Sequence, residues 1–164
     1  MNKTIFILGV SGCGKSTIGK LLAENLSIPF FDADDYHSKE SIAKMERGKP
    51  LTDEDRAGWL ATLNQLAKDQ LKQNSCVIAC SALKESYRNI LQNGIEDTAK
   101  WVYLAGNFKE IKARIEQREN HYMASDLLQS QFDTLEEPKN AIKINIHLTP
   151  KEIVELLRPK LNQF

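Results

Sequence analysis

The chain has 164 residues, 41% hydrophobic and 27% charged, and its 22 basic residues match 22 acidic ones for a formal net charge of zero. That is the composition of one globular domain, able to bury about 68–70% of its unfolded surface. It lacks the basic excess of a polynucleotide binder. Its early apolar run, residues 5–8, falls far short of the ~20 residues of a membrane span and of a signal-peptide core, so no nucleic acid, no membrane and a cytoplasmic location are expected.

Strand and helix signals then alternate along the chain. Residues 4–8 form a β-rich apolar run, predicted as a buried first strand. A glycine-rich turn follows at 9–14. Residues 16–25 predict a helix, because Ile18, Leu21, Leu22 and Leu26 recur at helical spacing. A second strand is expected at 28–31 and a short helix at 38–47. Thr52 followed by Asp55 suits a helix cap, and the acidic residues there suit the positive end of the helix. That helix carries Trp59, Leu60, Leu63, Leu66 and Leu71. The remaining strands are expected at 76–80, 101–104 and 142–146. The remaining helices are expected at 84–91, 108–117, 125–132 and from Pro150, where a missing N–H costs little.

Short apolar strands separated by helices predict an α/β fold, a five-stranded parallel sheet with helices on both faces. The cysteines are Cys13, Cys76 and Cys80. Their odd number argues against a disulfide framework. Cys76 and Cys80 share one side of a strand and read as small buried apolar groups. Two polar stretches, 32–56 and 118–138, interrupt the core pattern, as substrate loops and lids do.

Gly9-Val10-Ser11-Gly12-Cys13-Gly14-Lys15-Ser16 matches G-x-x-x-x-G-K-S/T in full, with a strand before it and a helix after it. Glycines let the backbone curl so that N–H groups point inward at phosphate oxygens. The helix that follows adds the positive end of its dipole. Lys15 supplies a compact charge for the β- and γ-phosphates, and Ser16 a hydroxyl for Mg²⁺. No side-chain chemistry is assigned to Cys13.

The loop after the second strand holds Asp32 and Asp34 at a strand's carboxyl end, where ligands of parallel sheets sit. They are expected next to the phosphate site in the strand order of such a sheet. One carboxylate could orient the metal through its waters and the other could accept a proton from the acceptor hydroxyl. His37 could bond an acceptor hydroxyl or stand idle. Arg56 could clamp a substrate carboxylate as a planar fork, or pair within its helix. Lys84 and Arg88, four apart, could hold an anionic substrate or form a solvated helix face. Arg114 and Arg118 have the same spacing and could cover ATP when a lid closes, or pair with Glu110 or Glu116.

Beyond the phosphate loop, the segments to compare are Asp32-Ala-Asp-Asp-Tyr-His37, Ile42-Ala-Lys-Met45, the run from Gly48 through Thr52 to Arg56, Trp59-Leu60, Cys80-Ser-Ala-Leu-Lys84 with Tyr87-Arg88, the run from Arg118 to Met123, and Ser130-Gln-Phe132 with Leu135-Glu136 and Pro138, of which Cys80–Lys84 and Ser130–Phe132 are distinctive. In these the chain resembles the thermoresistant gluconate kinases, P-loop kinases related to shikimate and nucleoside monophosphate kinases. The family usually has Pro where this chain has Ser38, Asn where it has Ser41, and Pro where it has Gly58.

The resemblance implies one kinase domain over 1–164, with an acceptor-binding insertion at about 32–58 and a lid at about 118–126. It implies transfer of phosphate from MgATP to the 6-hydroxyl of D-gluconate. Lys15, Asp34 and Arg118 would be catalytic. Gly9, Ser11, Gly12, Cys13, Gly14, Lys15, Ser16, Thr17, Arg114 and Arg118 would bind ATP. Asp34, His37, Arg56, Lys84, Arg88 and Gln131 would bind the substrate, and Ser16 and Asp32 the metal. A homodimer is common in the family.

The alternative is a P-loop kinase for another small sugar acid or a shikimate-like acceptor. A monophosphate kinase would need more arginines in 32–56 than Arg47 and Arg56. A nucleotide-binding regulator would have lost the acceptor carboxylates and the lid arginines, and this chain has both.

Overall fold

The computed structural model describes residues 1–118 and 125–162. Its five strands are β1 (Thr4–Leu8), β2 (Phe30–Asp32), β3 (Cys76–Ala79), β4 (Ala99–Ala105) and β5 (Ile142–Asn145). They form one sheet in the order β2-β3-β1-β4-β5, and every neighbouring pair is parallel. The helices are α1 (Lys15–Leu26), α2 (Lys39–Glu46), α3 (Asp53–Leu71), α4 (Glu85–Gln92), α5 (Phe108–Gln117), α6 (Ser125–Thr134) and α7 (Pro150–Asn162). A 3-10 turn, Ala33–Tyr36, follows β2.

The two-residue period of a strand sorts β1 between two cores. Ile5 and Ile7 pack with Ile18 and Leu22 of α1, Ile111 of α5 and Leu157 of α7 on one face. Phe6 and Leu8 pack with Leu60 and Leu63 of α3 and Leu91 of α4 on the other. Phe6 also stacks on Trp101 at 4.4 Å between ring centres. With both faces covered, β1 is buried along its whole length, which explains why it reads as a continuous apolar run. Cys76 and Cys80 lie in the second core as expected, and burial pushes their thiols up to about 11 and about 12. The three cysteines are free.

Two predicted strand starts move. The second strand begins at Phe30 rather than residue 28. The Ile28 N–H turns back to the Ala23 carbonyl at 3.0 Å to close α1, and Pro29 has no N–H for the ladder. The fourth strand begins at Ala99, because the register with β1 starts at Thr4 opposite Ala99. Ser38 caps α2 by accepting from the Ser41 N–H at 3.1 Å. The Thr52–Asp55 capping box opens α3 as its spacing implied, and Asp55 also accepts from Lys44 of α2 at 2.6 Å. Among the described residues, no helix is long and apolar enough to cross a membrane.

Candidate active site

The phosphate loop leaves β1 at the carboxyl edge of the sheet and runs into α1. Gly14 precedes the helix with φ 98° and has no side chain to cap its first N–H groups. Gly12 has φ 80°, and a Cβ there would lie 2.6 Å from Ile115 of α5. Both positions therefore require glycine, one for backbone hand and the other also for space. Lys15 folds back and donates to the Val10 carbonyl at 3.0 Å, so its ammonium sits over its own loop. Cys13 is buried, in keeping with a packing role. Thr17 is exposed on the first turn of α1.

The Ser11 N–H donates to Gln131 Oε1 at 2.7 Å, and Gln131 Nε2 donates to Ser11 Oγ at 3.0 Å. Gln131, expected on the acceptor side, is thus latched from α6 onto the phosphate loop. Nothing in its local sequence announced that contact, because it spans 120 residues.

Ser16 Oγ donates to Asp32 Oδ2 at 2.6 Å. The strand order puts β3 between β1 and β2, so this proximity comes from the first turn of α1 and not from neighbouring strands. Asp32 Oδ1 also accepts the Asp34 N–H at 3.0 Å, which fixes the turn that presents Asp34. The Asp34 side chain is 84% exposed. Its carboxyl is held below the usual range, chiefly by the His37 ring and further by Lys15, against the opposing effect of desolvation. The Nε2 of His37 lies 3.6 Å from Asp34 Oδ1 while the imidazole itself is only 7% exposed. His37 is therefore a support behind Asp34 rather than an open hydroxyl binder.

Across the cleft edge, Arg56 donates to the Leu51 carbonyl and, at 3.3 Å, to the Tyr87 hydroxyl. Lys84 pairs with Asp53 at 3.1 Å, and Tyr87 donates to the same carboxylate. Tyr87 and then Lys84 keep Asp53 ionised to lower pH, and Asp53 in turn raises Lys84. Lys84 and Arg56 thus share one patch with Asp53 and Tyr87, two residues to which the sequence reading gave no role. Their signal was spacing: Asp53 lies three residues before Arg56, and Tyr87 three after Lys84.

Arg88 departs from expectation. It is buried, and it donates to the carbonyls of Ala82 at 2.8 Å, Leu83 at 3.2 Å and Glu136 at 2.8 Å. Ala82 has φ 42°, uncommon for a residue with a side chain. Arg88 therefore braces the turn that carries Lys84, and its donors are directed at backbone rather than at a ligand. On α5, Arg114 donates to the Ile146 carbonyl beyond β5. Arg118 ends that helix and is exposed. Most of the expected lid, 119–124, lies outside the described residues.

The model of the family described as shikimate kinase matches residues 11–155. A probable gluconokinase of Mus musculus is 44% identical, with 91% of this chain and 92% of that protein covered. The gluconokinase of Arabidopsis thaliana is 43% identical over 94% of this chain and 90% of its own. The chain belongs to the gluconokinase family, within the shikimate kinase-like P-loop group. A solved gluconokinase from Sinorhizobium meliloti superposes with a TM-score of 0.89 at 36% identity, covering 98% of this chain and 92% of that one.

Ser16 and Asp32 bring two hard oxygens together, the donor type Mg²⁺ takes. Among the described residues no cluster of three or more His, Cys, Asp or Glu could hold a metal by itself.

Proposed function

We propose that this chain transfers the γ-phosphoryl group of ATP to the 6-hydroxyl of D-gluconate, giving 6-phospho-D-gluconate and ADP. The observation that carries the reading is the Ser16–Asp32 hydrogen bond, which joins the acceptor loop to the start of the phosphate-binding helix. The gluconokinase relatives, aligned over nearly the whole chain, support the choice of acceptor.

In this reading the N–H groups of residues 9–17 and the Lys15 ammonium hold the phosphates. Ser16 directly, and Asp32 through water, would hold Mg²⁺, which neutralises phosphate charge when bound. Arg56 and Lys84 take the gluconate carboxylate, with Lys84 exchanging Asp53 for it. Asp34 receives the proton of the 6-hydroxyl as its oxygen bonds to phosphorus and the bond to the bridging oxygen of ADP breaks. A loose transition state asks more of position and charge than of basicity, so an Asp with a low pKa suffices. Arg114 and Arg118 close over ATP with the lid, for which Arg114 must exchange the Ile146 carbonyl for a phosphate oxygen. A cytoplasmic homodimer belongs to the same proposal, and family resemblance is its support.

The test is an ADP-coupled assay with MgATP over a panel of sugar acids and shikimate, with the product identified by mass. Gluconate-dependent ADP release with 6-phosphogluconate as product is expected. Turnover of a different sugar acid in place of gluconate would overturn the substrate, and ADP release indifferent to any acceptor would overturn the transferase reading.

A further inference from the structure

Asp34 sits on a 3-10 turn of four residues, too short to hold its own geometry. Asp32 caps it from its own strand by accepting the Asp34 N–H, and further support comes from α3. Trp59 Nε1 donates to the Ala33 carbonyl at 2.7 Å, in a buried hydrogen bond immediately before Asp34. The Trp59 ring stacks on His37 with centres 4.2 Å apart and planes 19° from parallel, immediately beyond the turn. One indole therefore grips both ends of the turn, and His37 Nε2 reaches back to within 3.6 Å of Asp34 Oδ1.

Among the described residues, the buried Nδ1 of His37 has no hydrogen-bond partner. Leaving such a group unpaired costs free energy, so polar contact at Nε2 alone does not account for the ring's place, and the stack on Trp59 supports it. Trp59 also follows Arg56 by three residues and shares its helix face. The helix that carries the carboxylate-binding arginine thus also sets the turn that carries Asp34.

We propose that Trp59 is a positioning residue for phosphoryl transfer, clamping the acceptor turn at Ala33 and at His37 so that the Asp34 carboxylate meets the acceptor hydroxyl. The proposal rests on the reading of Asp34 as the group that faces the acceptor. Trp59→Phe keeps a ring for His37 but removes the donor to Ala33. His37→Asn removes the stack and leaves the indole.

The experiment measures kcat, KM for ATP, KM for gluconate and Tm on the intact chain for both variants, for their combination, for Asp34→Asn, and for each variant in the Asp34→Asn background. Each single variant is expected to lower kcat roughly tenfold, since an ångström of misplacement can cost about 10²-fold, while KM for ATP moves less than about twofold. The combination should fall no further than the worse single, because both act through one turn. In the Asp34→Asn background neither should lower kcat again. Wild-type kcat in folded Trp59→Phe and His37→Asn, losses that multiply in the combination, or losses that persist without the Asp34 carboxylate would overturn the proposal. If Trp59→Phe does not fold, His37→Asn with and without Asp34→Asn decides by the same criteria. Wild-type kcat in Asp34→Asn alone would show that the reading of Asp34 is what failed, and the clamp proposal would fall with it.

Discussion

In the proposed reading the phosphate cradle takes its groups from consecutive residues, 9–17, whereas the acceptor side collects Asp34, Arg56 and Lys84 from three separate places in the chain. The cradle is mainly backbone, shaped by three glycines at positive φ, Gly9, Gly12 and Gly14, and by the start of α1. The acceptor side is made of side chains whose directions depend on neighbours: Trp59 for the Asp34 turn, Tyr87 and Asp53 for Lys84, Leu51 for Arg56. A backbone site tolerates little substitution within its few residues and is indifferent to much else. A side-chain site can be retuned from a distance, which suits the half of a kinase that must differ between acceptors.

The largest expected effect lies in the cradle. Lys15→Ala should cut kcat about 10²–10³-fold, the range for removing one transition-state donor, as read by steady-state turnover with saturating gluconate. Unchanged turnover would remove Lys15 from the phosphates. Next, Asp34→Asn should lower kcat about 10²-fold, at the low end for a proton acceptor, with ATP binding by calorimetry close to wild type. A large loss of ATP affinity would move Asp34 to the metal side and blur the division between the two halves.

Arg88 and Lys84, four residues apart, sharpen the contrast within the acceptor half. Arg88→Ala should lower unfolding free energy by at least about 1–3 kcal/mol, because three carbonyls lose a charged donor in a buried setting. Its readout is the denaturation midpoint. Lys84→Ala should instead raise KM for gluconate roughly tenfold, about one charge-assisted hydrogen bond, with Tm nearly unchanged. The reverse pattern would exchange their roles.

The smallest effect concerns Asp55, whose carboxyl is lowered from 3.8 to about 2, first by Lys44 and then by its capping bonds to Thr52. Because the folded value lies below the unfolded one, the contribution is present above pH ~4 and fades as pH falls toward ~2. The Tm gap between the wild-type chain and Asp55→Asn should therefore close across that window. A gap independent of pH would mean that the cap does not depend on the charge.

Much of this was legible beforehand because it is local. The phosphate loop is contiguous, the strands repeat at short range, and the Thr52–Asp55 cap is a four-residue pattern. The roles of Arg88 and Gln131 were not legible. Arg88 meets a carbonyl 48 residues away, and Gln131 a loop 120 residues away. His37 looked like a polar loop residue, and only the indole of Trp59 over its ring makes it a support.

The amino-acid sequence by itself determined the alternation of strands and helices, the phosphate cradle and the acidic pair after the second strand, since each follows from neighbours within a few positions. The tertiary structure decided which cations stay available to a ligand and which are spent on backbone. It also decided that β3 separates β1 from β2 while α1 still brings Ser16 to Asp32. Those outcomes depend on distances between segments remote in the chain, and no local periodicity encodes them.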